Sequence, residues 1–169
     1  MKKLDNRGFT LAELIVVIAI LGILAGTLTA SVGQIFSSQT RKFVNEYNAL
    51  LSRCRVEMLS GAPASGTNVE LGLGSDGQYY VTYRKGGEEK DTQKLSNKNV
   101  SCTFIQNNDP DTEAPIALGM SLYISFDRTT GAMSVEYDSD TVTATQIDVD
   151  IAGQNILLVP ATGYHSIGG

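Results

Sequence analysis

One carboxylate, Glu13, stands at the entrance to an apolar run, and no other charged side chain follows until Arg41, a gap of 27 residues (14 to 40). Ionisable groups carried into hydrocarbon are costly and usually functional. A short basic leader precedes it: Met1–Gly8 holds Lys2, Lys3 and Arg7 against Asp5, a net of +2. Gly8 closes that leader and Phe9 opens the hydrophobic stretch. A secretory signal would place its small-residue cut after the apolar run. Here the break at Gly8/Phe9 comes before the run, so the run is expected to stay in the mature chain.

Leu14–Ala30 is nearly all apolar. The expected transmembrane part is about 14–34, long enough to cross a bilayer core. Gly22, Gly26 and Gly33 would let neighbouring helices approach closely. The basic leader holds its end in the cytoplasm, so everything after the run is exported.

The helix is expected to continue past the membrane. Phe36, Phe43, Tyr47, Leu51, Cys54 and Met58 form one helical stripe, while Arg41, Lys42, Glu46, Arg53 and Glu57 mostly fall off it. Ser60-Gly61-Ala62-Pro63 supplies a stop. The predicted organisation is a leader at 1–8, a helix at 9–60 with an amphipathic part at 35–60, and a β-rich head at 61–169.

The head's 109 residues (61 to 169) suffice for one modest core. Short strands are expected at Asn68–Leu73, Gln78–Arg84, Asp91–Leu95, Val100–Gln106, Leu118–Phe126, Met133–Tyr137, Gln146–Ile151 and Asn155–Val159. Asn107–Pro115 reads as an exposed loop by composition. The predicted class is α+β: a long N-terminal helix packed on an antiparallel sheet of about seven strands. Six Lys/Arg against fourteen Asp/Glu give the head a net of −8. Such a domain is a poor generic binder of nucleic acid, whose phosphates would be repelled.

Lys2-Lys3…Arg7-Gly8-Phe9-Thr10-Leu11-Ala12-Glu13, followed by Leu14-Ile15-Val16-Val17-Ile18-Ala19-Ile20-Leu21, resembles the class III signal of type IV pilins and of type II secretion pseudopilins. The resemblance covers about the first 30 residues. It implies cleavage between Gly8 and Phe9 by a prepilin peptidase, N-methylation of Phe9, and an assembly role for Glu13. It further implies a polymerising subunit: single-pass in the cytoplasmic membrane first, then part of an extracellular or periplasmic filament. Its partners would be other pilin or pseudopilin subunits, the inner-membrane platform and an ATPase. Ile124–Gly131 and Ile156–Gly163 each run from a strand into a Thr-Gly turn and look like segments of the minor pseudopilin H group. Two departures matter. Ala30 stands where major pilins commonly have proline, which leans towards a minor subunit. No Lys or Arg follows Gly163, which argues against a DNA-receptor role.

The remaining candidates are few. Cys54 and Cys102 fit either one disulfide in an exported domain or two small buried thiols. His165, the only histidine, reads as a surface or tail residue near a flexible C-terminus. Ser125 and Ser134 have no base nearby in sequence, and no catalytic constellation emerges, so an enzyme is not expected. No cofactor is expected either. Asp138, Asp140, Asp148 and Asp150, or Asp109, Asp111 and Glu113, could form an oxygen-rich calcium site, but alternating acids usually mark a solvent face. Tyr79, Tyr80 and Tyr83 could form a binding patch, although cross-strand packing is the commoner use. A tip-located module binding DNA or a surface is the alternative function.

Overall fold

The computed structural model describes residues 10–61, 65–96 and 100–168, and side chains throughout these except 24–36. The chain divides into two compact units, Met1–Ser37 and Ser38–Gly169. Helix α1 (Leu11–Leu59) begins in the first and ends in the second. Its start falls two residues later than the expected Phe9, and its end one residue before Ser60.

In the second unit α1 buries Phe43, Val44, Tyr47, Leu50, Leu51 and Cys54, with Met58 partly buried. That is the anticipated stripe, widened by Val44 and Leu50. Phe36 of that stripe lies outside the described side chains. The remainder of the unit is antiparallel, but it forms two sheets rather than one of about seven strands. The first sheet contains β1 (Asn68–Leu73), β2 (Tyr79–Lys85), β3 (Glu88–Lys94), β6 (Ser121–Phe126), β7 (Met133–Tyr137) and β8 (Asp140–Thr141), in the order β3-β2-β1-β6-β7-β8. The second contains β4 (Cys102–Gln106), β5 (Asp109–Pro115), β9 (Ile147–Ile151), β10 (Gln154–Val159) and β11 (Tyr164–Ile167), in the order β11-β10-β9-β4-β5. A 3-10 turn, Pro160–Thr162, joins β10 to β11.

Three segments raise the strand count. Asp109–Pro115 has the composition of a loop, yet Asn107 and Asn108 both take positive φ (54° and 56°) and fold it back onto β4 as a hairpin. Asn tolerates the left-handed region, and paired positive φ suits the twist of hairpin strands. Asp138 and Ser139 (φ 49° and 70°) do the same before β8. The supposed C-terminal tail pairs with β10 as β11. Conversely, the start of β6 is lost to a turn, with Met120 N–H bonded to Ala117 O at 3.0 Å. That leaves Leu118, expected to open this strand, 65% exposed.

The two sheets and α1 enclose one core. Val69, Leu71, Val81, Tyr83, Leu122, Ile124 and Val135 come from the first sheet, and Cys102, Phe104, Ile147, Val149, Ile151, Ile156 and Leu158 from the second. Phe104 meets Tyr137 edge-on at 4.9 Å between ring centres, linking the sheets. Alternation explains the burial of β6, which reads intermediate-buried three times over, the pattern of a half-covered strand, whereas β1 buries four residues in succession. The sheet edges differ in character. β3 carries Glu88, Glu89, Lys90 and Asp91, β5 carries Pro110 and Pro115, and β8 is two residues long.

Candidate functional site

The leader 1–8 and Phe9 lie outside the described residues, so the expected cleavage and methylation positions, Gly8 and Phe9, carry no structural description. Thr10 and Glu13 do. The Glu13 N–H donates to Thr10 Oγ1 at 3.2 Å. Glu13 Oε2 accepts from both the Thr10 N–H and the Thr10 hydroxyl, each at 2.9 Å. This reciprocal arrangement is a capping box, which satisfies orphan donors of the first helical turn. The Thr-x-x-Glu spacing (Thr10, Glu13) is its sequence signal. The carboxylate therefore has a fixed position at the positive end of the helix dipole. Both bonds fall on Oε2, so Oε1 has no partner among the described residues.

The helix that follows is apolar on every side. Leu14, Ile15, Val16, Val17, Ile18, Ile20, Leu21 and Ile23 are all exposed, the pattern of a helix that needs lipid or other helices around it. Among the described residues, no helix is long and apolar enough to cross a membrane. The described apolar side chains run from residue 11 to 23, about 20 Å at 1.5 Å per residue against a hydrocarbon core of about 30 Å. Most of the expected span at 14–34 thus lies outside the described side chains.

In the head, the sequence candidates scatter. Cys54 and Cys102 are both buried and both free, matching the second of the two readings open for them. Burial, with Glu57 nearby, pushes the Cys54 thiol up to about 12, and burial also raises Cys102. These are neutral, inert thiols. Tyr79, Tyr80 and Tyr83 do not make a patch, because alternation sends them to opposite faces of β2. The Tyr79 hydroxyl donates to Ile116 O at 3.1 Å inside the core. Tyr83 donates to Glu57 on α1, with Arg53 lying 4.7 Å from its ring centre and Lys85 3.1 Å from the same carboxylate.

The acidic runs also separate. Asp109, Asp111 and Glu113 lie exposed along β5, Asp138 and Asp140 flank a hairpin turn, and Asp148 and Asp150 alternate on β9. No group of three or more His, Cys, Asp or Glu is placed to hold a metal ion among the described residues. Ser125 and Ser134 face each other across β6 and β7. His165 is not in a tail. It sits in β11, half-buried, with Nε2 2.9 Å from Ser52 Oγ on α1 and Nδ1 3.3 Å from Gly163 O. Burial lowers its pKa below the usual histidine range, against the pull of the Gly163 carbonyl, and Arg55 adds to the lowering.

The two Thr-Gly turns singled out in sequence come together here. A Cβ on Gly163 (φ 65°) would run into the carbonyl of Gly131, and Arg55 from α1 donates to Thr162 O at 3.0 Å. Asp127 Oδ1 accepts from the Thr129 and Thr130 backbone and the Thr130 hydroxyl, closing the first turn. The motif thus locks the ends of both sheets against α1.

Glu70 was not anticipated as special. It is 4% exposed on the outer face of β1. Its Oε1 accepts from Tyr80 (2.7 Å), Ser121 (3.1 Å) and Tyr123 (3.3 Å). Its Oε2 accepts from Arg84 Nε at 3.0 Å and Nη2 at 2.8 Å. Burial alone would raise this carboxyl. The bonds from Tyr80 and Arg84, the Arg84 charge and Ser121 outweigh it and hold the group below the ordinary carboxylate range. Tyr80 reaches Glu70 by crossing Gly72, where a Cβ would stand 2.6 Å from its hydroxyl. The signal was a Glu between Val69 and Leu71 with tyrosines on the adjoining strands, legible only once register is known.

Comparison with known proteins gives one match. Residues 3–29 match the prokaryotic N-terminal methylation motif, the prepilin-type signal. No curated protein and no solved structure matches the chain. The motif supports the type IV pilin or pseudopilin class, with prepilin processing and assembly with other pilin-type subunits as its general consequences.

Proposed function

We propose that this chain, carrying a prepilin-type signal on residues 3–29, is a non-enzymatic subunit of a type IV pilus or type II secretion pseudopilus. The observation that carries the reading is the matched junction, with Glu13 fixed by Thr10 at the mouth of an all-apolar helix. Cleavage after Gly8 frees the amine of Phe9, which is then methylated. The apolar helix stores the subunit in the cytoplasmic membrane until extraction. On assembly the open Oε1 of Glu13 pairs with the amine of a neighbouring Phe9, which makes a carboxylate tolerable away from water. The helices then form the filament interior and the heads its surface. Ala30, standing where major pilins commonly have proline, favours a minor subunit. No cofactor has a role in this scheme.

Mass spectrometry of the mature N-terminus tests the processing step. A chain starting at N-methylated Phe9 is expected, and one starting at Met1 or cut after Ala30 overturns the reading. Glu13→Ala tests the mechanism: leader cleavage should persist while filament incorporation falls. Normal incorporation of that variant would refute the pairing role.

A further inference from the structure

Where the first sheet ends beside the last turn of α1, next to Tyr123 of the Glu70 cluster, there is a hollow of about 450 Å³, within the size range of small-ligand sites. Met58 and Phe126 supply apolar wall, Tyr123 an aromatic ring, and Asn68, Ser125 and Glu136 the polar groups. One of those polar groups is unspent: Glu136 is exposed and has no ion-pair partner among the described residues. The Tyr123 hydroxyl gives its proton to Glu70, so its remaining lone pair is an acceptor too.

No Lys or Arg lines the hollow. The nearest cation across the strand, Arg84, is held by Glu70, and Arg128 is bonded to Gly61 O. One wall is fixed by backbone, since the Gly87 N–H donates to Gly66 O at 3.2 Å. A hollow with surplus acceptors, a carboxylate, an aromatic ring and apolar sides fits one chemistry. It suits a guanidinium or ammonium on an aliphatic stem, which takes charge-assisted bonds at its head and packs along its length.

We propose that this hollow receives a basic side chain, arginine or lysine, from a neighbouring filament subunit. The partner clause rests on the subunit reading above, and the cation chemistry does not. This chain itself offers the kind of group required: Arg41 and Lys42 are exposed on α1 and form no ion pair among the described residues.

The test has two arms. In the first, the full mature chain in detergent is titrated with N-acetylarginine amide and with its neutral isostere N-acetylcitrulline amide, followed by NMR of the Asn68 side-chain amide. Saturable shifts with the arginine probe, weakened about tenfold by Glu136→Gln and absent with citrulline, are expected. Equal responses to both probes, or an unchanged affinity in Glu136→Gln, overturn the site. In the second arm Glu136→Lys is expressed in cells and leader cleavage is read alongside incorporation. Retained cleavage with lost incorporation supports a neighbouring subunit as the source, and normal incorporation overturns it. A wild-type chain left uncleaved would sink the subunit reading instead, with the probe titration still deciding the site.

Discussion

The two units handle polar groups in opposite ways. In the head, nearly every striking polar side chain is spent internally: Glu70 accepts from four residues, Glu57 is shared by Tyr83, Lys85 and Arg53, and Asp127 closes its own turn. At the start of the N-terminal unit the polar device is the Thr10–Glu13 box, and around it an apolar surface is left exposed. The head is therefore self-sufficient, whereas residues 11–23 are written for surroundings the chain does not supply. That is also why the recognisable signature falls on the N-terminal unit. A helix exposed on every side must suit whatever surrounds it, while a self-contained core can be filled in many ways.

The comparison can be broken most forcefully at the Gly131–Gly163 contact. Gly163→Ala should cost the head at least about 3 kcal/mol, combining overpacking with a left-handed residue, measured by chemical denaturation. A loss below about 1 kcal/mol would mean the two turns are not locked together. Next, Arg84→Ala strands the buried Glu70 carboxylate and should cost about 2–3 kcal/mol, whereas Arg41→Ala on the exposed helix face should stay within about 0.5 kcal/mol. Equal effects would erase the claimed contrast between spent and unspent charges.

Thr10→Ala removes one half of the capping box. It should loosen the first turn of α1 by about 1 kcal/mol, seen as faster amide exchange at residues 11–14, with head stability unchanged. The smallest effect concerns His165. Its folded-state pKa is lowered, so the neutral form is favoured; its contribution is full above the usual histidine range and is lost as pH falls through the lowered value. Denaturation midpoints should fall slightly from about pH 7 to about pH 5, and His165→Gln should flatten that slope. Glu70 and Asp127, with depressed values, lose their contributions only at lower pH.

Much of the fold was legible where a single physical rule decided the outcome. β1 and β7 match their expected limits, and the stop after α1 follows from Ser60-Gly61. Legibility failed where pairing overrode composition. Asp109–Pro115 has no strand-forming character and becomes one because Asn107-Asn108 turns it onto β4. His165 looked terminal because its partner Ser52 lies 113 residues away. The split into two sheets follows from which strands pair, and alternation along a strand does not encode that. At the candidate site Glu13 was evident from its isolation and the box that holds it was not, although four consecutive residues spell it.

The sheet edges carry a last consequence. A strand edge with free backbone groups invites a neighbouring chain to add itself, which leads to aggregation. Here β3 is bordered by charges, β5 by prolines, β8 is too short to template, and β11 is fastened to α1 through His165 and Ser52. Heads built this way can be crowded to very high local concentration without zippering into amyloid. Any contact between such heads is then left to side chains rather than to a shared backbone ladder.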